Sequence, residues 1–181
     1  MGYAFKQRRM TQSNGRFPAP LDNYAGEVKS AKGEFSLPKN LKLNGAKGFI
    51  EIDTRTANTM GDPVLNEAIR SSMLLYTKNF PAAGFVVENI TGDELPLAYG
   101  RLSPAAVNGM FILKGKKIPL SSIAEFEPVI GEDGKPRLLI RSAFKIDLRF
   151  FNIEGADGPA PARHILLLDL NYILKERLTR A

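Results

Sequence analysis

An all-β fold, an antiparallel barrel of eight strands with one short helical insertion, is what this sequence predicts, and three observations carry the expectation. Apolar residues recur at period two over long stretches, and several of those stretches run to ten or more residues. The 16 glycines and 12 prolines punctuate the 181-residue chain at intervals instead of gathering in one linker, so turns join the strands throughout. At ~3.3 Å per residue, a strand of about 12 residues spans about 40 Å before tilt. Antiparallel strands of that length on one domain remove their unpaired edges by closing into a barrel.

Taken in order, residues 1–16 carry Lys6, Arg8, Arg9 and Arg16 without an acid and are expected to form a flexible basic tail; the barrel domain then occupies 17–175, and 176–181 form a second tail. Strands are expected at 24–30 and 31–37, and at 46–56, where Ile50 and Ile52 alternate with Glu51 and Asp53. The helix starts at Asp62, an N-cap, with Pro63 in the first helical position and Val64, Leu65, Ala68 and Ile69 as its apolar set. Further strands follow at 82–90, 105–114 and 117–129. The clearest is 138–150, where Ile140, Ser142, Phe144, Ile146, Leu148 and Phe150 alternate with Arg141, Ala143, Lys145, Asp147 and Arg149. A strand at 163–174 closes the set of eight. Asn44-Gly45, Lys114-Gly115-Lys116 and Gly131-Glu132-Asp133-Gly134 are turn signals short enough to join neighbours, which gives an up-and-down order.

Composition removes most catalytic chemistries. The absence of Cys excludes disulfides, thiolate metal sites and cysteine nucleophiles, and a single histidine, His164, excludes His-rich metal centres. The net charge of +6 belongs to the termini: +4 in residues 1–16 and +2 in 175–181, which leaves 18 bases against 18 acids between them. A body without a basic surplus offers no groove for phosphates, so nucleic acid is not an expected partner. No apolar run approaches the ~18 residues of a membrane span, and no signal-peptide core follows the basic N-terminus, so an exported precursor would have been trimmed before this chain begins.

From residue 22 onward, the order of several segments resembles the YceI-like family of lipocalin-like barrels that bind polyprenyl chains and related amphiphiles. The segments are Gly48-Phe49-Ile50-Glu51-Ile52-Asp53-Thr54, Ile69-Arg70-Ser71-Ser72, Asn79-Phe80-Pro81 leading to Phe85, and Val107-Asn108-Gly109-Met110-Phe111-Ile112-Leu113-Lys114-Gly115 with Pro119-Leu120 after it. The turn at 155–161 and the ending Ile173-Leu174-Lys175 complete the series. Departures accompany the matches. The helix reads Leu65-Asn66-Glu67-Ala68-Ile69-Arg70-Ser71, where the family's run keeps only the last Arg-Ser; Leu74-Leu75-Tyr76 and Leu148-Arg149-Phe150-Phe151-Asn152 also differ, and the usual first strand is hard to place in 1–16. The resemblance implies a tunnel for a long-chain isoprenoid or acyl lipid with no other cofactor, export to the periplasm with a cytoplasmic location as the alternative, and a homodimer.

If the apolar stripe faces inward, Ile50, Ile52, Phe85, Val87, Phe111, Leu113, Leu120, Ala124, Phe126, Ile140, Phe144, Ile146, Leu148, Leu166, Leu168 and Leu170 form the ligand-binding wall. Such a wall holds hydrocarbon through dehydration, at ~0.8 kcal/mol per methylene. The same side chains could instead fill the barrel, since small barrels are often solid. Small residues on the stripe, Gly109, Ser122, Ala124 and Ser142, favour an open axis and also suit a taper. Arg70, Tyr76 and Tyr99, with Arg55, are candidates for a pocket mouth that meets a polar head. Arg70 at a helix C-terminus also suits the dipole alone.

His164 at a strand end reads as surface, and the pairs Asp93-Glu94, Glu125 with Glu127 and Glu132-Asp133 read as solvated, so neither a catalytic residue nor a metal ligand is expected. The basic tail could touch acidic lipid headgroups at a membrane surface. The reading is a noncatalytic carrier of a long-chain amphiphilic lipid. An enzyme using the barrel as a hydrophobic active site and a solid interaction barrel are the alternatives.

Overall fold

Alternation along the sequence becomes a wall with one dry and one wet face. On the strand Ala31–Leu37, Ala31, Phe35 and Leu37 are buried while Lys32, Glu34 and Ser36 are exposed. The computed structural model describes residues 3–7, 13–17, 24–28, 30–58, 63–153 and 165–177. In chain order its strands are β1 (Tyr3–Gln7), β2 (Ser13–Phe17), β3 (Tyr24–Val28), β4 (Ala31–Leu37), β5 (Lys47–Asp53), β6 (Ala57–Asn58), β7 (Ala82–Gly92), β8 (Ser103–Leu113), β9 (Lys116–Ile130), β10 (Pro136–Asp147) and β11 (Ile165–Arg177). The helix α1 (Pro63–Arg70) lies between β6 and β7.

All strands pair antiparallel in one sheet, running β1, β4, β5, β7, β8, β9, β10, β11, and β11 returns to β1 through Ala4↔Arg177, Phe5↔Glu176 and Lys6↔Lys175. The remaining strands extend the wall: β2 lies on β11, β3 on β2, and β6 on β3. Because β1 and β2 occupy the same gap, between β11 on one side and β3 or β4 on the other, and β5 runs on into β6, the described strands amount to eight staves of a closed barrel.

The expected count of eight is met by different members. Residues 3–7 and 13–17, read from their charge as part of a flexible tail, are strands, and the stretches 24–30 and 31–37, read as two staves, form one. Pairing on both sides satisfies the backbone of the first stave, so its basic sequence does not oppose strand formation. At the other terminus β11 runs to Arg177, past the expected boundary at 175.

Two strands end earlier than periodicity suggests, each at an aspartate. Asp53 accepts from Arg55 N at 3.0 Å and Asp147 from Arg149 N at 3.0 Å, each capping a 3₁₀ turn, Thr54–Thr56 and Leu148–Phe151. The second turn shifts the phase. Phe150, on the apolar face of the expected alternation, is 60% exposed, and Phe151 is buried in its place. On β7 a bulge between Val87 and Asn89 brings Val87 and Ile90, three apart, to the same interior. The β8–β9 hairpin turns on Lys114 (φ 47°) and Gly115 (φ 72°), both in the left-handed region that a two-residue hairpin loop uses.

Connecting segments gather at the ends of the barrel. At one end, residues 38–46 and 93–102 meet: Leu97 N donates to Leu41 O at 2.9 Å, Glu94 accepts from Lys42 Nζ at 3.1 Å and from Asn44 Nδ2 at 2.7 Å, and Leu43 and Leu97 are buried. At the other end, the segment with α1 folds over. Of the predicted apolar set on α1, Ile69 is fully buried, whereas Val64 is 76% exposed and Ala68 is exposed; Asp62 lies outside the described residues.

Candidate functional site

The barrel interior is built from phenylalanines that meet across it. Phe35 on β4 packs against Phe126 on β9 with ring centroids 5.7 Å apart, and Phe85 on β7 against Phe144 on β10 at 5.2 Å. Glycines let the rings lie on the wall. A Cβ at Gly48 would stand 2.6 Å from the Phe35 ring, and one at Gly109 would stand 2.8 Å from the Phe85 ring and collide with Val86 O. No other residue type fits at 109 without moving backbone.

Between the rings a cavity of about 40 Å³ remains, bordered by Glu34, Phe35, Phe49, Ile50, Phe85, Val87, Ile90, Val107, Ala124, Phe126, Ile140, Ser142, Phe144, Tyr172 and Leu174. The open, elongated axis expected from the small residues is not what the structure holds. The phenylalanine pairs occupy most of it, and the space left is about that of one water, against the ~150 Å³ of a cavity that takes up benzene.

Of the residues expected to face a ligand, Ile50, Phe85, Val87, Ala124, Phe126, Ile140 and Phe144 border this space. Ile52, Phe111, Leu113, Ile146, Leu148, Leu166 and Leu168 are buried in the surrounding core without bordering it, and Leu120 is half-buried. Leu170 pairs through its backbone with Ser142; its side chain lies outside the described residues. Phe35, Ile90, Val107, Tyr172 and Leu174 border the cavity and were not among the expected wall residues. For Tyr172 and Leu174 the signal was available, since they continue the alternation of Leu166 and Leu168.

The polar groups of the lining differ in their circumstances. Ser142 Oγ is 3.0 Å from Ser122 Oγ and 3.2 Å from Ile123 O, and so is engaged with the wall where the β9–β10 ladder ends. Tyr172 is 2% exposed, and its hydroxyl has no hydrogen-bond partner among the described residues. Burial alone pushes its phenol far above the ordinary tyrosine value of 10.0.

The three residues expected to gather at a mouth do not share one. Arg70 and Tyr76 lie at the α1 end and Tyr99 in the loop at the opposite end. Arg70 Nε and Nη2 both donate to Ala57 O, at 3.0 and 2.7 Å, so the guanidinium ties α1 to β6. The Tyr76 ring meets Phe80 edge-on at 5.9 Å, and Tyr99 is 59% exposed. Arg55 is paired with Asp53 at 2.8 Å. Of the acid pairs, Glu127 lies 3.5 Å from Arg141, and the hydrogen bond from Arg137 holds Asp133 below the usual carboxylate range. Among the described residues no three His, Asp or Glu side chains are grouped to hold a metal; His164 lies outside them.

Residues 9–166 match the model of the YceI-like domain. No curated protein matches the chain. Among solved structures, the barrel is similar to a YceI protein from Campylobacter jejuni at 15% identity, covering 86% of each chain with a TM-score of 0.70. It is also similar to BcnA from Burkholderia cenocepacia at 15% identity, over 90% of this chain and 94% of that one with a TM-score of 0.67. A polyisoprenoid binding domain from Saccharophagus degradans, described as implicated in plant cell wall breakdown, aligns at 13% identity over 97% and 98% of the two chains, TM-score 0.67. At such identities the likeness is one of fold.

Proposed function

The chain belongs to the YceI-like domain family, and from that premise we propose that it is a noncatalytic lipid-binding protein that sequesters or carries a long-chain isoprenoid, a polyprenyl lipid or quinone, or a fatty-acid derivative in its barrel. One observation carries the reading. The barrel interior is apolar, with the pairs Phe35–Phe126 and Phe85–Phe144 among its side chains, and such a lining suits a hydrocarbon guest. A hydrocarbon thread would replace ring–ring contacts by ring–chain contacts. Ten buried methylenes supply roughly 8 kcal/mol before ordering and repacking are subtracted. The similar fold of the polyisoprenoid binding domain from Saccharophagus degradans supports this class of guest.

A second reading has its own observation. Val86, Met110 and Pro119 stand side by side across β7, β8 and β9 on the outer face, with Val86 42% exposed. That apolar row would suit a solid barrel acting through a protein contact. Export to the periplasm, homodimerisation and peripheral contact with a membrane surface belong to the carrier proposal, and cell fractionation and sedimentation test them.

Extraction of the purified protein with organic solvent, followed by mass spectrometry, tests the function itself. An isoprenoid or acyl lipid recovered in near-stoichiometric amount is the expected result. No lipid in the extract, together with no uptake of added polyprenyl or acyl chains, would overturn the carrier reading in favour of the solid barrel.

A further inference from the structure

Between β9 and β10 the barrel wall has a seam. Their ladder runs from Pro136↔Ile130 to Ser142↔Ala124 and stops; among the described residues, 116–123 of β9 pair with β8 alone and 143–147 of β10 with β11 alone. The inward row of β9 loses its cover at the same point. Ala124 and Phe126 are 2% and 1% exposed, whereas Ser122, Leu120 and Ile118 are half-buried. Pro119 keeps the seam from zipping. Ile123 O faces β10, since it accepts from Ser142 Oγ at 3.2 Å, and alternation directs the backbone of residue 119 to the same side, where proline has no N–H to give. Where the ladder ends, side chains take over. Ser142 Oγ donates to Ser122 Oγ at 3.0 Å, and Ser122 donates in turn to Ala143 O. Ser142 borders both the interior cavity and a cleft of about 400 Å³ on the outer face, lined by Ile123, Glu125, Arg141, Ala143, Asp169 and Asn171; no other described residue borders both.

We propose that this seam is a lateral gate, latched by Ser122 and Ser142, through which a hydrocarbon passes between the outer cleft and the barrel interior. The gate rests on the carrier reading above and concerns the route into the barrel. An interior space of about 40 Å³ admits no chain as it stands, so the wall must part to let one in. Elsewhere along β9 and β10 parting breaks a backbone ladder. At the seam it breaks the serine hydrogen bonds, which water can replace at small net cost. The path beyond is apolar. Ile123, 63% exposed, and Ala143 form a sill beside the serines on the outside, and Ala124 and Phe144 border the cavity behind them.

The experiment follows uptake and release of farnesyl anthranilate, a fluorescent prenyl ester, by stopped-flow. The chain has no cysteine of its own, so Ser122→Cys combined with Ser142→Cys can form only one disulfide, across the seam, which reductant reopens. The oxidised protein is expected to take up and to release the probe at least about tenfold more slowly than the same protein reduced. Ser122→Ala removes the latch through a side chain outside the interior lining and is expected to raise both rates about threefold. Where the thiols do not join, Ser122→Ala decides alone. Rates that are the same with the disulfide closed and open, a disulfide that slows release but not uptake, or rates that Ser122→Ala leaves unchanged would overturn the gate and direct entry to an end of the barrel, with the carrier reading intact. A wild-type protein that takes up none of the probe would overturn the carrier reading and the gate with it.

Discussion

At the scale of single residues, the buried phenol of Tyr172 bears on stability and on its pH dependence. Its hydroxyl is buried without a partner among the described residues, so replacing it by hydrogen removes an unmet donor whose cost is about 1–3 kcal/mol. Tyr172→Phe is therefore expected to raise the urea midpoint of the ligand-free protein, by about 1 kcal/mol of stability. A lower midpoint would mean that the hydroxyl is bonded to water in solution. The pH dependence has a definite sign. Because burial raises the folded phenol above its ordinary 10.0, the native state keeps its proton where the unfolded state releases it. The resulting stability is fully present below pH 10 and declines as pH rises beyond it. Wild type should accordingly lose more stability than Tyr172→Phe on passing from neutral to strongly alkaline solution. Parallel loss in the two proteins would show that the phenol titrates normally.

At the scale of elements, β5 and β10 end alike, in Ile52-Asp53-Thr54-Arg55 and Ile146-Asp147-Leu148-Arg149. In each the aspartate accepts from the backbone N–H two residues on and from the arginine side chain, which stops the strand and starts the 3₁₀ turn. Loss of an N-terminal cap of this kind typically costs about 1 kcal/mol, so Asp53→Ala should lower stability by that order at neutral pH. The hydrogen bond from Arg55 holds the Asp53 carboxyl below its ordinary 3.8, so this contribution exists above that value and disappears as pH falls through the folded value below it. Denaturation curves of wild type and Asp53→Ala should thus converge between about pH 5 and pH 2. A gap that stays constant would sink the assignment. The same pair of caps explains what the sequence made legible. Period two located β4, β5, β7, β8, β9, β10 and β11, because each has one dry face. It overran at Phe150, where a cap rotates the chain without changing its composition. The first stave was missed for a related reason: the partners of β1 and β2 lie at 33–37, 24–28, 167–169 and 175–177, and no local pattern announces pairing at that distance. Seven residues bordering the cavity could be read from the stripe, but its volume could not, since ring packing decides it.

For the whole molecule, closure depends on its first stave. The β10–β11 ladder holds eleven residue pairs, whereas β11 meets β1 through three and β2 through three. Without residues 1–17 the barrel would present two raw edges, β11 on one side and the β3–β4 stave on the other, and such edges recruit other chains. A chain beginning at residue 18 is therefore expected to melt at least about 10 °C lower than the full chain and to elute as larger, heterogeneous species in gel filtration. The truncation also removes Lys6, Arg8, Arg9 and Arg16 and takes the net charge from +6 to +2, which alone would reduce solubility. Replacing those four residues by Gln in the full-length chain separates the causes, because it removes the charge and keeps the strands. If edge pairing governs, the Gln-substituted chain elutes and melts close to wild type while the truncated chain does not. If charge governs, the two variants behave alike, and a truncated chain that melts like wild type would show that the barrel does not need its first stave.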